Sequence, residues 1–93
     1  MTNEKTYKLN PVYDIRKSFY GKAIVIETKS GFYLKSYETI VCYISKKGLF
    51  KKMWDGYSAT TQRHIVEFCF QKIGKVLGKK QWENLTKNKY YCL

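Results

Sequence analysis

Arginine, proline and histidine are almost missing from this chain, which carries two Arg, one Pro and one His in 93 residues. With so little Arg, only Arg16 and Arg63 can make the bidentate guanine contacts that dominate base readout. A single His64 rules out a multi-histidine metal centre. Cys42, Cys69 and Cys92 form no CxxC pair, so no recognisable zinc site is encoded. Neither GxGxxG nor GxxxxGK occurs, and no cofactor is implied. Apolar runs fall short of the roughly 18 residues that a membrane span needs. No charged segment followed by an apolar one opens the chain, so a signal peptide is not read either. An odd number of scattered cysteines fits a reduced, cytoplasmic setting.

Acidic residues are scarce as well. Seven Asp+Glu stand against 18 Lys+Arg, a net charge of +11. Such a field attracts nucleic acid, an anionic surface or an acidic protein, chiefly by raising association rate and non-specific affinity. Sixteen of the basic residues are Lys. Low-GC codon usage produces the same bias, so charge speaks to association and not to a specific role. What the chain does have is aromatic area: nine Tyr, five Phe and two Trp. That is enough apolar surface to fold one domain and too short a chain for two.

The first dozen residues are polar, and residues 1–14 read as a loose arm before a single domain over 15–88 and a tail at 89–93. From Lys22 the pattern alternates with period two. Ala23 and Val25 oppose Ile24 and Ile26, and KSG (29–31) supplies a turn. Phe32 and Leu34 oppose Tyr33, Lys35 and Tyr37. TIVCYIS (39–45) sets Ile40, Cys42 and Ile44 against Val41 and Tyr43, and KKG (46–48) makes a hairpin turn before LFKKMW. The period then becomes 3.6. Ile65, Val66, Phe68, Cys69, Phe70 and Ile73 form a broad apolar side, with His64, Glu67 and Gln71 opposite, and Gly74 or Gly78 ends the helix. The fold class is α+β. A three- to four-stranded antiparallel sheet (about 22–54) is followed by a covering amphipathic helix (about 60–73) and a short second helix (about 79–87).

WDGYSATTQRHIVEF (54–68) gathers the residues with chemical potential. Asp55-Gly56 is a turn dipeptide, and Ser58, Thr60 and Thr61 are candidate N-caps. The same hydroxyls with Arg63 can hold a phosphate at a helix start. His64 with Glu67 one turn on is a candidate for hydrolase or nuclease chemistry, although Glu67 equally pairs with Arg63 as surface charge. For an anionic partner, the candidate binding residues are Lys46, Lys47, Lys51, Lys52, Tyr57, Thr61, Arg63, His64, Lys79 and Lys80. Lysines in this number give backbone-directed, salt-dependent binding, and exposed Tyr can stack bases. An uncovered strand edge also allows a two-fold homodimer.

Four stretches, SFYGKA (18–23), SYETIVCYI (36–44), WDGYSATTQRHIVEF (54–68) and KKQW (79–82), together resemble an uncharacterised family of small proteins from phages, plasmids and other mobile elements. The most specific piece is W-x-G-x-S-x-T-T-x-R-H-I-x-E-F. It is matched by Trp54, Gly56, Ser58, Thr60, Thr61, Arg63, His64, Ile65, Glu67 and Phe68. Cys42 and Phe70 depart from the pattern in ways that packing tolerates. The resemblance implies a sheet-then-helix fold and a mobile-element setting without an assigned activity. The expectation is a non-enzymatic basic protein that interferes with host defence, anti-CRISPR-like, by binding a nucleoprotein or nucleic acid. A DNA- or RNA-binding accessory of phage replication or regulation is the alternative, and a small hydrolase using His64 a third.

Overall fold

Four strands form where the alternation places them, and two more flank them. The computed structural model describes residues 4–10 and 22–93. In chain order the elements are β1 (Lys5–Lys8), β2 (Ala23–Glu27), β3 (Gly31–Ser36), β4 (Thr39–Ser45), β5 (Phe50–Lys52), α1 (Ala59–Ile73), α2 (Lys79–Asn84) and β6 (Tyr90–Tyr91). All neighbours are antiparallel, and the strands lie in sequence order from β1 to β6. The sheet is therefore wider than the three or four strands expected. KTYK falls in the stretch expected to be a loose arm, since it is polar and no apolar alternation marks it; all four of its residues are exposed. It pairs with β2 nonetheless, its lysines suited to an edge strand. The rest of that arm (1–3 and 11–14), Arg16 and residues 18–21 lie outside the described residues.

Register divides the sheet into two unlike faces. Tyr7, Val25, Leu34, Cys42 and Lys52 align across one rung of the inner face, and Lys5, Glu27, Phe32, Ile44, Phe50 and Tyr91 across another. Val25, Leu34, Cys42, Ile44 and Phe50 join Ile65, Phe68 and Cys69 of α1 and Trp82 of α2 in one core cluster. Each Val, Leu, Ile or Phe among them contributes about 1.5–3 kcal/mol of transfer free energy. A register shift between Leu34 and Lys35 sets Ile40 opposite Lys35. Val41, expected on the far face from Cys42, is consequently in the core at 1% exposure.

The helices are anchored by few, specific contacts. Ser58 caps α1, its Oγ accepting from Thr61 N at 3.0 Å, and Gly74 closes it in a left-handed conformation with φ 67°. The second helix is shorter than expected, ending at Asn84, and buries one side chain, Trp82. That indole packs edge-on to Phe50 and donates through Nε1 to Gly56 O at 3.2 Å.

Gly31 marks the closest approach in the sheet. Expected within a turn, it instead opens β3, buried beneath Tyr43. A Cβ there would lie 2.5 Å from Ile44 O and 2.5 Å from Tyr43 Oη. Gly31→Ala should therefore destabilise the protein by about 1–3 kcal/mol in urea denaturation. An unchanged midpoint would contradict the described packing of Tyr43.

Candidate nucleic-acid interface

The helix start, a candidate site on sequence grounds, turns inward. Thr61 and His64 are 4% and 0% exposed, and Ser36 of β3 binds both, its Oγ lying 2.9 Å from Thr61 Oγ1 and 2.8 Å from His64 Nδ1. Glu67, expected opposite the apolar side, is also fully buried and accepts from Gln71 Nε2 at 2.6 Å. The buried stripe differs from the expected one for a physical reason. Thr61, Ile65 and Phe68 at i, i+4, i+7 set the buried direction, and His64 falls beside them, where Ser36 provides the partner that makes its burial tolerable. Phe70, placed on the apolar side by the sequence pattern, is 37% exposed.

Burial lowers the His64 pKa from 6.5 to about 4, so the ring is neutral at pH 7. A buried neutral imidazole, hydrogen-bonded to a serine that also binds Thr61, pins α1 to the sheet. It offers no surface to a solvent-borne substrate or phosphate. Burial likewise pushes the thiols of Cys42 and Cys69 up, the latter to about 12, leaving both as packing groups.

Lys52 is a second correction. It is 4% exposed, with Nζ donating to Trp82 O at 2.9 Å and Leu85 O at 3.3 Å, and lying 4.7 Å from the Trp82 ring centroid. The ammonium thus serves the carboxyl end of α2, where helix carbonyls lack partners. The remaining predicted residues scatter. Lys46 at the β4–β5 turn bonds Glu27 at 2.6 Å, which holds that carboxyl below its ordinary value, and lies 4.6 Å from the Phe32 ring. Lys47 is exposed beside it. Tyr57 is exposed under Lys79, whose Nζ is 4.8 Å from its ring, and Lys80 is exposed on α2. Arg63 is half-buried on α1. Lys46 shares the Phe32 ring with Lys72, whose Nζ is 4.4 Å from its centroid, and Lys51 belongs to an aromatic row.

That row lies on the outer face of the sheet. One rung crosses all six strands as Thr6, Ile26, Tyr33, Tyr43, Lys51 and Tyr90. A second runs through Lys8, Ile24, Lys35 and Ile40. Tyr33 and Tyr43 have ring centroids 4.6 Å apart, and Tyr43 meets Tyr90 edge-on at 6.4 Å. Lys51 Nζ stands 5.4 Å from the Tyr43 ring and 4.9 Å from that of Tyr90. Both helices contribute to the core on the opposite face. Alternation already sets Tyr33 and Lys35 apart from Phe32 and Leu34. The alignment of Lys51 with Tyr43 and Tyr90 needs the register, and the two-residue strand β6 carries no sequence signal of its own.

Similarity to known proteins was found at the level of a family model, which matches residues 7–84 as a family of unknown function, DUF8033. The chain belongs to that family. Its span runs from β1 to the last residue of α2, so Tyr90 and the rest of β6 lie beyond it. No curated protein and no solved structure matches the chain. Among the described residues, no three His, Cys, Asp or Glu side chains come together as metal ligands, and no helix is long and apolar enough to cross a membrane.

The His64 environment yields a pH dependence of definite sign. The folded-state pKa of about 4 lies below the unfolded value of 6.5, so between these values the unfolded chain binds more protons. Stability from this site is complete above pH 6.5 and declines as pH falls towards 4, by about 3 kcal/mol in total. Urea denaturation as a function of pH should show this decline, and His64→Gln, less stable at pH 7, should lack it. Parallel profiles for the two proteins would contradict the burial of His64.

Proposed function

We propose that the protein is a non-enzymatic nucleic-acid-binding protein that works through the outer face of its sheet. The observation that carries this reading is the rung Tyr33–Tyr43–Lys51–Tyr90, in which an ammonium sits between aromatic rings on a face that neither helix covers. Lys8 extends the positive charge along the adjoining rung, which also holds Lys35, 3.5 Å from the exposed carboxylate of Glu38. Lysine supplies phosphate attraction without fixed hydrogen-bond geometry, and tyrosine supplies stacking area, a combination that favours the polymer over a particular sequence. The net charge of +11 supports the same partner from a distance. A dimer through this face would bring together two surfaces whose two rungs carry Lys8, Lys35 and Lys51 and no acidic residue, and so is disfavoured.

Interference with a host-defence nucleoprotein is a narrower form of this proposal, in which the face meets the nucleoprotein's nucleic acid. Phage plaquing raised only in hosts that carry the defence system is its test, and equal plaquing contradicts it.

For the general reading, fluorescence anisotropy with a labelled oligonucleotide should show binding that weakens steeply with salt. Replacing Lys8, Lys35 and Lys51 together by Ala should lower the log–log salt slope by about 2–3, because each phosphate left without its lysine reduces that slope by roughly 0.7–0.9. The pair Lys79→Ala and Lys80→Ala on the helix side should change it little. Absence of binding at low salt, or an equal reduction from the helix-side pair, would overturn the proposal.

A further inference from the structure

We infer that the nucleic acid this face takes is single-stranded, with bases stacking on Tyr33 and Tyr90 while Tyr43 serves as their fixed support. The inference rests on the nucleic-acid reading above and goes further by assigning strandedness and dividing the roles of three tyrosines.

Tyr43 is the centre of the rung but is 4% exposed. Its ring lies over Gly31, where no side chain stands in the way, and its hydroxyl donates to Ser30 Oγ at 3.0 Å. A ring so held cannot take a base on its own face. It buttresses its neighbours, Tyr33 at 4.6 Å on one side and Tyr90 at 6.4 Å on the other. Tyr90 is 50% exposed, the most open large hydrophobic residue among those described. Strands stand about 4.8 Å apart, so the backbones at Tyr33 and Tyr90, three strands from each other, are separated by roughly 14 Å, while their rings lean together over Tyr43, at 4.6 and 6.4 Å from it. Lys51 stands between them, within reach of a phosphate linking bases on either side.

The chain is also built to place Tyr90. After α2, Asn88 takes a left-handed conformation, φ 66°, and its N–H donates to Lys52 O at 2.7 Å. Tyr91, the inward neighbour of Tyr90, pairs across from Phe50, and its hydroxyl accepts from Thr86 N at 2.7 Å. These contacts hold a two-residue strand whose outward side chain is Tyr90. Aromatic faces flanking a cation, half-exposed at Tyr90 and partly buried at Tyr33, serve unstacked bases, whose π-faces a duplex conceals. A duplex would use the lysines alone.

The test is anisotropy with one mixed-sequence oligonucleotide, presented single-stranded and as its duplex, at fixed low salt. Single-stranded DNA should bind more tightly than duplex. Tyr90→Ala and Tyr33→Ala should each weaken single-strand binding about 5- to 150-fold and leave duplex binding nearly unchanged. Tyr90→Phe should retain affinity, because the ring and not the hydroxyl is used. Emission from Trp54 and Trp82, which pack on the helix side, checks that each variant is folded. Equal affinity for the two forms, or equal weakening of both in the Tyr variants, would overturn stacking while leaving phosphate binding in place. Failure of both forms to bind would instead remove the nucleic-acid reading itself. Sedimentation as a dimer that Tyr90→Ala dissolves would likewise assign the face to a second copy and overturn the inference.

Discussion

The constraint on which this structure depends is that two helices cover one face of a six-stranded sheet. A chain of 93 residues has enough apolar side chains for one such interface. The inner face takes Val25, Leu34, Cys42, Ile44 and Phe50 and is closed by Ile65, Phe68 and Trp82. Neither helix covers the outer face, which carries Tyr33, Tyr43, Lys51 and Tyr90. Tyrosine and lysine suit such a face by packing their apolar bodies on the sheet while keeping polar tips wet. The side chains that make a face without a helix over it tolerable are those on which the proposed binding of a polyanion rests.

The lid is held by polar groups as well as by burial. Ser36, Thr61 and His64 form a hydrogen-bonded set inside the interface, and Lys52 gives a charge to the carbonyl end of α2. Both arrangements put residues with functional potential to structural use. A lone histidine near serine and glutamate resembles the start of a catalytic constellation, but 0% exposure of the residue removes the access that such chemistry requires. A lysine next to another lysine looks like a phosphate contact, yet Lys51 and Lys52 point to opposite faces because a strand alternates. One of the two is available to a partner and the other is not.

This alternation is also where the sequence is most legible. The positions of β2 to β5 and the extent of α1 follow the hydrophobic period, and the Ser58 and Gly74 caps follow from local chemistry. The edges are illegible because KTYK and YY are too short or too polar to show a period, and tertiary pairing decides them. The buried direction of α1 departs from the expected one around His64 and Glu67, since apolarity alone cannot foresee a polar residue whose partner lies 28 positions away in the chain. The candidate interface is half visible: Tyr33 and Lys35 declare their face, while the row they share with Lys51 and Tyr90 exists only once the strands are in register.

The central claim is that the outer face, and not the helix start, meets nucleic acid. Aromatic-ring NMR of the free protein titrated with a short single-stranded oligonucleotide tests it most directly. The account predicts that ring signals of Tyr33 and Tyr90 shift with saturation while the indole signals of Trp54 and Trp82 stay in place. Shifts confined to Tyr57 and the α1–α2 side, with Tyr33 and Tyr90 unmoved, would contradict it.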